Sequence, residues 1–249
     1  MSDPRFRVSL ITPTYNEREN IPILVEEIFA TIRRCPEIDL ELIVVDDNSP
    51  DGTGQVAERM RDRHPVKVIH RAGRFGLGSA VMEGFLASDK PLLGVIDADL
   101  SHDPAVLPQL ITYLDEYDIT IGSRYNPGSR VEKWPWQRKL ISQAGVLLAR
   151  MLTGVHDPLS GYFFLRRPVV NGLQLTSPGF KILLEILVKG QYSSALEIPF
   201  VFRDREHSSS KLNTREYYLF TKQLLTFGLG PGTRRRDIAR NSLETDKIS

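Results

Sequence analysis

Leu92-Leu93-Gly94-Val95-Ile96-Asp97-Ala98-Asp99-Leu100-Ser101-His102-Asp103-Pro104 joins an apolar run of strand length to two carboxylates one residue apart, and a proline-led helical pattern follows. Strands buried on both faces of a parallel sheet read as near-continuous apolar runs. The run therefore predicts a central strand with charge at its carboxyl end. Open α/β sheets bind their ligands at that end, which makes Asp97 and Asp99 candidate binding residues. Hard cations such as Mg2+ or Mn2+ take one or two protein carboxylates and complete their shell with water and phosphate oxygens. An isolated Asp-x-Asp is more often a solvated loop after a strand, so the flanking sequence has to decide.

Upstream the same layout recurs. Arg7-Val8-Ser9-Leu10-Ile11 reads as a first strand ending in Thr12-Pro13-Thr14-Tyr15-Asn16-Glu17. Asn20 is placed to cap a helix whose Ile21, Leu24, Val25, Ile28 and Ile32 share one face. Leu40-Glu41-Leu42-Ile43-Val44-Val45 runs into Asp46-Asp47-Asn48-Ser49-Pro50-Asp51-Gly52-Thr53, with Ser49 or Thr53 as caps of a helix to Arg63. Val66-Lys67-Val68-Ile69 is a short third strand before Gly73-Arg74-Phe75-Gly76-Leu77-Gly78 and a helix to Ala87. Strands alternating with helices predict an α/β fold with a largely parallel central sheet flanked by helices. Polar tips that all follow strands gather on one edge.

The second half is less regular. Residues 118–125 read as a strand ending in Arg124, residues 137–152 as an amphipathic helix after Trp134-Pro135-Trp136, and residues 157–162 as a loop. Residues 180–189 read as a helix, 197–202 as a strand, 203–211 as a polar loop and 214–227 as a last helix. We expect one domain over residues 1–230, nucleotide-binding to about 125 and acceptor-binding beyond, with a polar, disordered tail at 231–249.

At 249 residues, with 41% hydrophobic and 25% charged residues, the chain has the composition of a soluble globular protein. A net charge of +1 gives no overall field for nucleic acid. The single Cys35 excludes an internal disulfide and a cysteine-rich metal cluster, and we read it as structural. The first residues lack a signal-peptide layout. No window reaches the roughly eighteen consecutive apolar residues of a membrane span, so membrane contact is expected to be peripheral.

The predicted sheet edge displays Glu17, Asp46, Asp47, Asp97 and Asp99 near Arg124, with Arg205 and Lys211 from the late loop. Carboxylates for one divalent ion beside cations able to grip phosphate suit a metal-bridged nucleoside diphosphate. The glycine-rich stretch at 73–78 lacks the Gly-Lys-Ser/Thr of a P-loop, and the first strand lacks a dinucleotide fingerprint.

Pro13-Thr14-Tyr15-Asn16-Glu17-Arg18-Glu19-Asn20, the Asp46–Thr53 run, Gly76-Leu77-Gly78, Asp97-Ala98-Asp99-Leu100-Ser101-His102, Gly122-Ser123-Arg124-Tyr125 and Ser210-Lys211-Leu212 occur here in the order of a known family. Over residues 8–225 the chain resembles the inverting family 2 glycosyltransferases, and within them the dolichol-phosphate (polyprenyl-phosphate) mannose synthases. The resemblance implies a GT-A fold, a Rossmann-like nucleotide-diphospho-sugar transferase architecture. It implies that Pro13, Tyr15, Glu17, Val45 and Asp47 hold the donor's base and ribose. Asp97, Ala98 and Asp99 would meet the sugar-diphosphate, with Asp99 the principal metal ligand and Asp97 and Ser101 beside it. Ser101 stands where some relatives carry Gln. Arg124, Arg205 and Lys211 would contact the diphosphate or close over it, completing a catalytic group with Asp97 and Asp99. Arg138 matches an arginine thought to receive the acceptor phosphate, and Ser129-Arg130 departs from the paired glycines often found nearby.

The implied reaction moves mannose from GDP-mannose to dolichyl or polyprenyl phosphate with inversion, assisted by Mg2+ or Mn2+. It places the enzyme at the cytoplasmic face of a membrane, held peripherally and in some relatives through a small membrane subunit. Helices 137–152 and 214–227 and Arg234-Arg235-Arg236 are candidate contacts for headgroups, or else pack on the sheet and lie in solvent. Two other readings stand. A UDP-sugar enzyme acting on polyprenyl phosphate or a glycan would, for a hydroxyl acceptor, need a base such as His102, Asp103 or Asp157. A non-catalytic binding subunit would keep the fold without turnover. Glu17 and Asp51 also suit ordinary helix starts, and Asp157, Ser160 and Gly161, which match an Asp-Pro-x-Ser-Gly run of the resembled family, equally suit a capped turn. His102 is read as lying behind the site or on the surface.

Overall fold

The computed structural model describes residues 4–131, 147–173, 182–203 and 237–240. Strands β1 (Phe6–Thr14), β2 (Ile38–Asp46), β3 (Val66–His70) and β4 (Leu92–Val95) alternate with helices α1 (Asn20–Ile32), α2 (Thr53–Met60) and α3 (Leu77–Leu86). Helix α4 (Leu107–Thr112) leads to β5 (Ile119–Ser123), and the two-residue β6 (Arg130–Val131) follows. Helical residues 147–153 form α5. Then come β7 (Phe163–Arg166), α6 (Ile182–Lys189), β8 (Ser194–Pro199), β9 (Val201–Phe202) and β10 (Asp237–Arg240).

Among the described residues, eight strands form one sheet in the order β10-β8-β5-β7-β4-β1-β2-β3. Every pairing is parallel except the two made by β7, which runs antiparallel between β4 and β5. The expected largely parallel sheet is therefore present. Its order reverses at β1, with β2 on one side and β4 on the other, and that switch point is where such sheets open a crevice.

Helix α1 buries Ile21, Leu24, Val25, Ile28, Phe29 and Ile32, the stripe its sequence spacing predicts. With α2 and α4 it covers one face of the sheet over Leu10, Leu42 and Phe164. Helices α3 and α6 cover the other over Ile11, Ile43 and Phe163. Tyr162, Phe163 and Phe164 are fully buried in sequence; burial of each aromatic contributes roughly 2–3 kcal/mol. Phe163 and Phe164 face opposite layers, which stitches the strand that reverses direction into both cores.

Several elements differ from the sequence expectation. Asn20 is not the cap of α1 but its first residue; the Glu17 carbonyl accepts the N–H groups of Asn20 and Ile21, and the Asn20 amide donates to the Glu17 carboxylate at 2.6 Å. Neither Ser49 nor Thr53 caps α2. Gly52 takes that place at φ +87, a left-handed conformation that favours glycine, and α2 stops at Met60 rather than Arg63. The strand foreseen at 197–202 starts at Ser194 and is split after Pro199, which has no N–H to continue the ladder; β9 then pairs with β6 in a separate two-stranded sheet. Residues 237–240 of the segment expected to be disordered form β10, parallel to β8. Alternation explains it: Ile238 packs against one core and Ala239 against the other, while the ladder takes the backbone whatever the neighbouring polarity.

Candidate active site at the carboxyl edge of the sheet

Strands β1, β2, β4 and β5 all end on one edge, and the register sets their tips at matching heights. Thr14 pairs with Asp46 across β1 and β2, and Ile11 with Val95 across β1 and β4. Phe163 pairs with both Val95 and Ile121, so Asp97 and Arg124 leave the sheet from nearly the same level. Because β7 runs the other way, the turn before it, residues 157–162, enters the sheet at this edge too.

The backbone turns sharply after three of these strands. Asn16, Asn48 and Leu100 hold φ of +60°, +57° and +61°, and they are the non-glycine residues with positive φ among those described. Such a conformation costs roughly 1–2 kcal/mol, and Leu100 lacks the short polar side chain that eases it for asparagine. The turn at Leu100 brings the Ser101 N–H back to the Asp99 carboxylate at 3.1 Å. Ser101 is itself 2% exposed, and its carbonyl accepts the Arg203 N–H at 3.1 Å.

Asp97 and Asp99 offer hard carboxylate oxygens, with the Ser101 residue folded against them. This donor chemistry fits Mg2+ or Mn2+. Among the described residues no group of three or more His, Cys, Asp or Glu is arranged to hold a metal; a cation at the pair would fill its shell from water and phosphate oxygens.

Behind Asp97 the packing is close. A Cβ on Gly161 would lie 2.5 Å from Asp97 Oδ2. The Asp97 N–H donates to His102 Nδ1 at 3.3 Å, and His102 Nε2 lies 3.9 Å from Asp97 Oδ2. His102 is 3% exposed, stacked on Tyr162 at 5.1 Å and edged by Phe200 and Phe202. It thus lies behind the Asp97 main chain and not on the surface, the two places the sequence reading left open. Burial first, and the Asp103 charge second, push the Tyr162 phenol well above its ordinary range, so it stays protonated and donates to the Asp103 carbonyl at 3.2 Å.

Toward the β1 and β2 tips the other expected residues assemble. Pro13 and Val45 are register partners, Val45 fully buried. Tyr15 is 37% exposed, with the Arg74 guanidinium over its ring at 4.5 Å. The Glu17 N–H donates to Thr53 Oγ1 at 2.9 Å, tying the β1 loop to α2. Asp51 accepts the Thr53 N–H and hydroxyl and the Arg18 N–H; burial alone would raise its pKa, but these bonds outweigh it and lower it. Asp46 is spent on the loop, accepting from Ser49 and Thr14. Asp47 is buried and ion-paired to Arg71, which also binds Glu83 at 2.9 Å and Ser79 at 2.7 Å.

Arg124 does not stand open to the edge as a lone cation. Its Nε and Nη2 bind the two oxygens of Asp157, each at 2.8 Å, and its backbone N–H binds Asp157 Oδ2 at 2.9 Å. Burial alone would make the guanidinium easier to deprotonate; the Asp157 charge overrides that, with Tyr125 and Asp97 adding to it, and it stays charged. Asp157 is fully buried, and Glu197 beneath it accepts the N–H groups of His156 and Asp157, each at 2.9 Å. Ala98 is buried at the tip between the two acids. Arg138, Arg205, Lys211, Trp134 and Trp136 lie outside the described residues.

Arg71 and Glu197 were not singled out from sequence, and Asp157 was read as part of a run shared with relatives or of a capped turn, or as a base for a hydroxyl acceptor. An acid inside the apolar run Ala195-Leu196-Glu197-Ile198 was the available signal, because a charge is seldom buried without partners. The raised pKa of Glu197 has burial as its main cause, opposed by its bonds to His156, Asp157 and Ser123. Cys35 likewise has its thiol pushed up by burial and then by Glu37, consistent with a structural role.

Residues 9–173 match the family described as glycosyl transferase family 2. The chain is 44% identical over 224 residues to a dolichol-phosphate mannosyltransferase of Pyrococcus furiosus, covering 88% of this chain and 62% of that protein. This chain therefore spans less than two thirds of that relative's length. It is 38% identical to a polyprenol monophosphomannose synthase of Mycolicibacterium smegmatis, covering 84% of this chain and 82% of that one. It is 36% identical to a dolichol-phosphate mannosyltransferase of Saccharomyces cerevisiae, covering 89% and 88%. In three dimensions it resembles glucosyl-3-phosphoglycerate synthase from Mycobacterium tuberculosis in complex with UDP, with TM-score 0.66, 19% identity and coverage of 91% and 82%. A mannosyltransferase from Pyrobaculum calidifontis in complex with GDP-Man and Mn2+ gives TM-score 0.63, 20% identity and coverage of 93% and 68%. At those identities the likeness shows the fold, the GT-A arrangement expected from the motifs. With its Asp97-x-Asp99 pair at the switch point of that fold and these relatives along most of its length, the chain belongs to glycosyl transferase family 2.

Proposed function

We propose that this enzyme transfers mannose from GDP-mannose to a polyprenyl or dolichyl phosphate with inversion at the anomeric carbon. The observation that carries the reading is the meeting of Asp97, Asp99 and the Arg124–Asp157 pair at one sheet edge, in a chain whose relatives are named for this transfer. The acceptor phosphate is already ionised near neutral pH, so no side chain has to remove a proton. One phosphate oxygen of the lipid forms a bond to the anomeric carbon as the bond to the donor's β-phosphate oxygen breaks. GDP leaves with that electron pair. Holding two anionic reactants in line is then the main task.

Tyr15 and Asp47 at the β1 and β2 tips would hold the nucleoside, with Pro13, Glu17 and Val45 shaping the pocket. Asp97, Ala98 and Asp99 would face the sugar-diphosphate, and Arg124 with Arg205 and Lys211 would bind its negative charge. Arg138 would receive the acceptor phosphate. Asp99 with Asp97, and Ser101 beside them, would hold Mg2+ or Mn2+. When bound, such an ion offsets charge developing on the diphosphate. Residues 1–230 would form one domain. No helix among the described residues is long and apolar enough to cross a membrane, and a lipid acceptor calls for peripheral contact at the cytoplasmic face, directly or through a small membrane subunit.

The test is a donor-by-acceptor screen with GDP-mannose and UDP-glucose against polyprenyl phosphate, each with Mg2+, Mn2+ or chelator. Formation of a mannosyl phospholipid from GDP-mannose is expected. Transfer from UDP-glucose alone would replace this reading with the UDP-sugar enzyme, and nucleotide binding without turnover would point to a binding subunit. Asp99→Ala should lower turnover at least a hundredfold with an unchanged melting temperature; near-normal turnover would remove Asp99 from the metal role.

A further inference from the structure

Arg124, Asp157 and Glu197 form a chain of buried charge that runs from β8 to the edge of the sheet. Glu197 is fully buried, and both its oxygens accept main-chain N–H groups, from His156 and Asp157. Ser123 bonds to the same carboxylate, so the last residue of β5 and the 156–157 turn share one anchor. The Asn126 amide donates to the Glu197 carbonyl at 3.0 Å and lies 3.1 Å from His156 Nδ1, which closes the ring. Above this, Asp157 makes three bonds to Arg124, two to the guanidinium fork and one to its main chain. The fork leaves Nη1 as the nitrogen not taken up by Asp157, and Arg124 interacts with Asp97 through its charge.

A pair of this kind is expensive to build. Removing charges from water is repaid only when geometry and further hydrogen bonds are good, and an apolar pair would staple β5 to the turn at less cost. A bidentate carboxylate does what an apolar staple does not: it fixes the plane of the guanidinium. We propose that Asp157 and Glu197 are positioning residues for phosphate recognition. Glu197 fixes the 156–157 main chain, Asp157 thereby orients Arg124, and Arg124 presents an oriented positive charge to the donor's diphosphate beside Asp97. This rests on the nucleotide-sugar reading given above but not on which base or sugar is used.

The test compares nucleosides with nucleoside diphosphates by calorimetry at fixed salt and fixed Mn2+, using guanosine and GDP, and uridine and UDP. The quantity read is the ratio of nucleoside to diphosphate dissociation constants, which isolates the grip on phosphate. In Asp157→Asn one carboxylate oxygen becomes an amide that points a donor at a donor, and the ratio should fall tenfold or more while nucleoside binding stays within twofold. Glu197→Gln alters only the anchor, leaves the Arg124–Asp157 pair chemically intact, and should lower the ratio at least threefold. Thermal unfolding shows whether each variant is folded; if Asp157→Asn is not, Glu197→Gln decides. An unchanged ratio in folded variants of a nucleotide-binding parent overturns the positioning role alone. A parent that binds neither GDP nor UDP overturns the nucleotide-sugar reading and this inference with it.

Discussion

Gly161→Ala is the substitution for which the structure gives the most definite expectation. The new Cβ would lie 2.5 Å from Asp97 Oδ2 and 2.9 Å from Asp97 Cγ and Oδ1, where Cβ atoms essentially never come within 3.0 Å of another heavy atom. Something must retreat by at least about 0.5 Å, and by about 0.9 Å to reach ordinary contact. Either the 157–161 turn lifts or the Asp97 carboxylate moves. The turn is held by Asp157 under Arg124, by the Glu197 bonds and by the Ser160 hydroxyl on the Gly122 carbonyl at 2.7 Å. The carboxylate, a terminal group on two rotatable bonds, is the softer partner. Displacing a positioning group by about 1 Å costs on the order of a hundredfold in rate, so kcat should fall roughly ten- to a hundredfold. Stability should fall by no more than about 2–3 kcal/mol: overpacking costs about 1–3 kcal/mol, partly offset by the roughly 0.4–1 kcal/mol gained by restricting the unfolded chain. Initial rates of the proposed mannosyl transfer and thermal unfolding of the same preparation check both halves. A folded Gly161→Ala enzyme with kcat within twofold of the parent would refute the placement of Asp97 in the reaction.

Other expectations concern stability. Arg71→Met leaves the Asp47 carboxylate buried without its cation and should cost about 3–5 kcal/mol; adding Asp47→Asn should recover most of it, which a double-mutant cycle by denaturant unfolding measures. Gly94→Ala puts a methyl into the Phe164 ring at the centre of the sheet and should destabilise by about 1–3 kcal/mol, read as a lowered melting temperature. Asp118 accepts from the N–H groups of Ser193 and Ser194 and the Ser193 hydroxyl; burial raises its pKa, but these bonds, with Arg166, outweigh it and lower it below the ordinary carboxylate value. A group lowered on folding adds stability above its unfolded pKa of about 3.9 and loses it as pH falls through the folded value. Asp118→Asn should therefore cost about 1 kcal/mol near pH 7, and the gap to the parent should close as pH drops below about 4; a gap independent of pH would refute the assignment.

Much of the first half of the chain was legible in the sequence because its information is local. An apolar run of strand length, a polar break and a 3.6-residue stripe are properties of neighbours, and β1, α1, β2 and β4 follow them to within a few residues. The placement of Asp97 and Asp99 at a strand tip needed no contacts from elsewhere, only the rule that parallel strands share a carboxyl edge. The motif order that marks the family is also written in one dimension.

Tertiary structure alone decided how that edge is held together. Phe163-Phe164-Leu165-Arg166 has no alternation that marks an antiparallel strand, because both faces are buried; only the neighbours β4 and β5 give it a direction. That reversal brings Gly161 behind Asp97 and Asp157 under Arg124, residues separated by 64 and 33 positions in the chain. Pairing over such distances depends on register between strands, not on sequence spacing, and so Arg124 reads in the sequence as an available cation while the fold gives it to Asp157. The acids and arginines of the site were set by the sequence, and which acid each arginine binds was set by the sheet that brings them together.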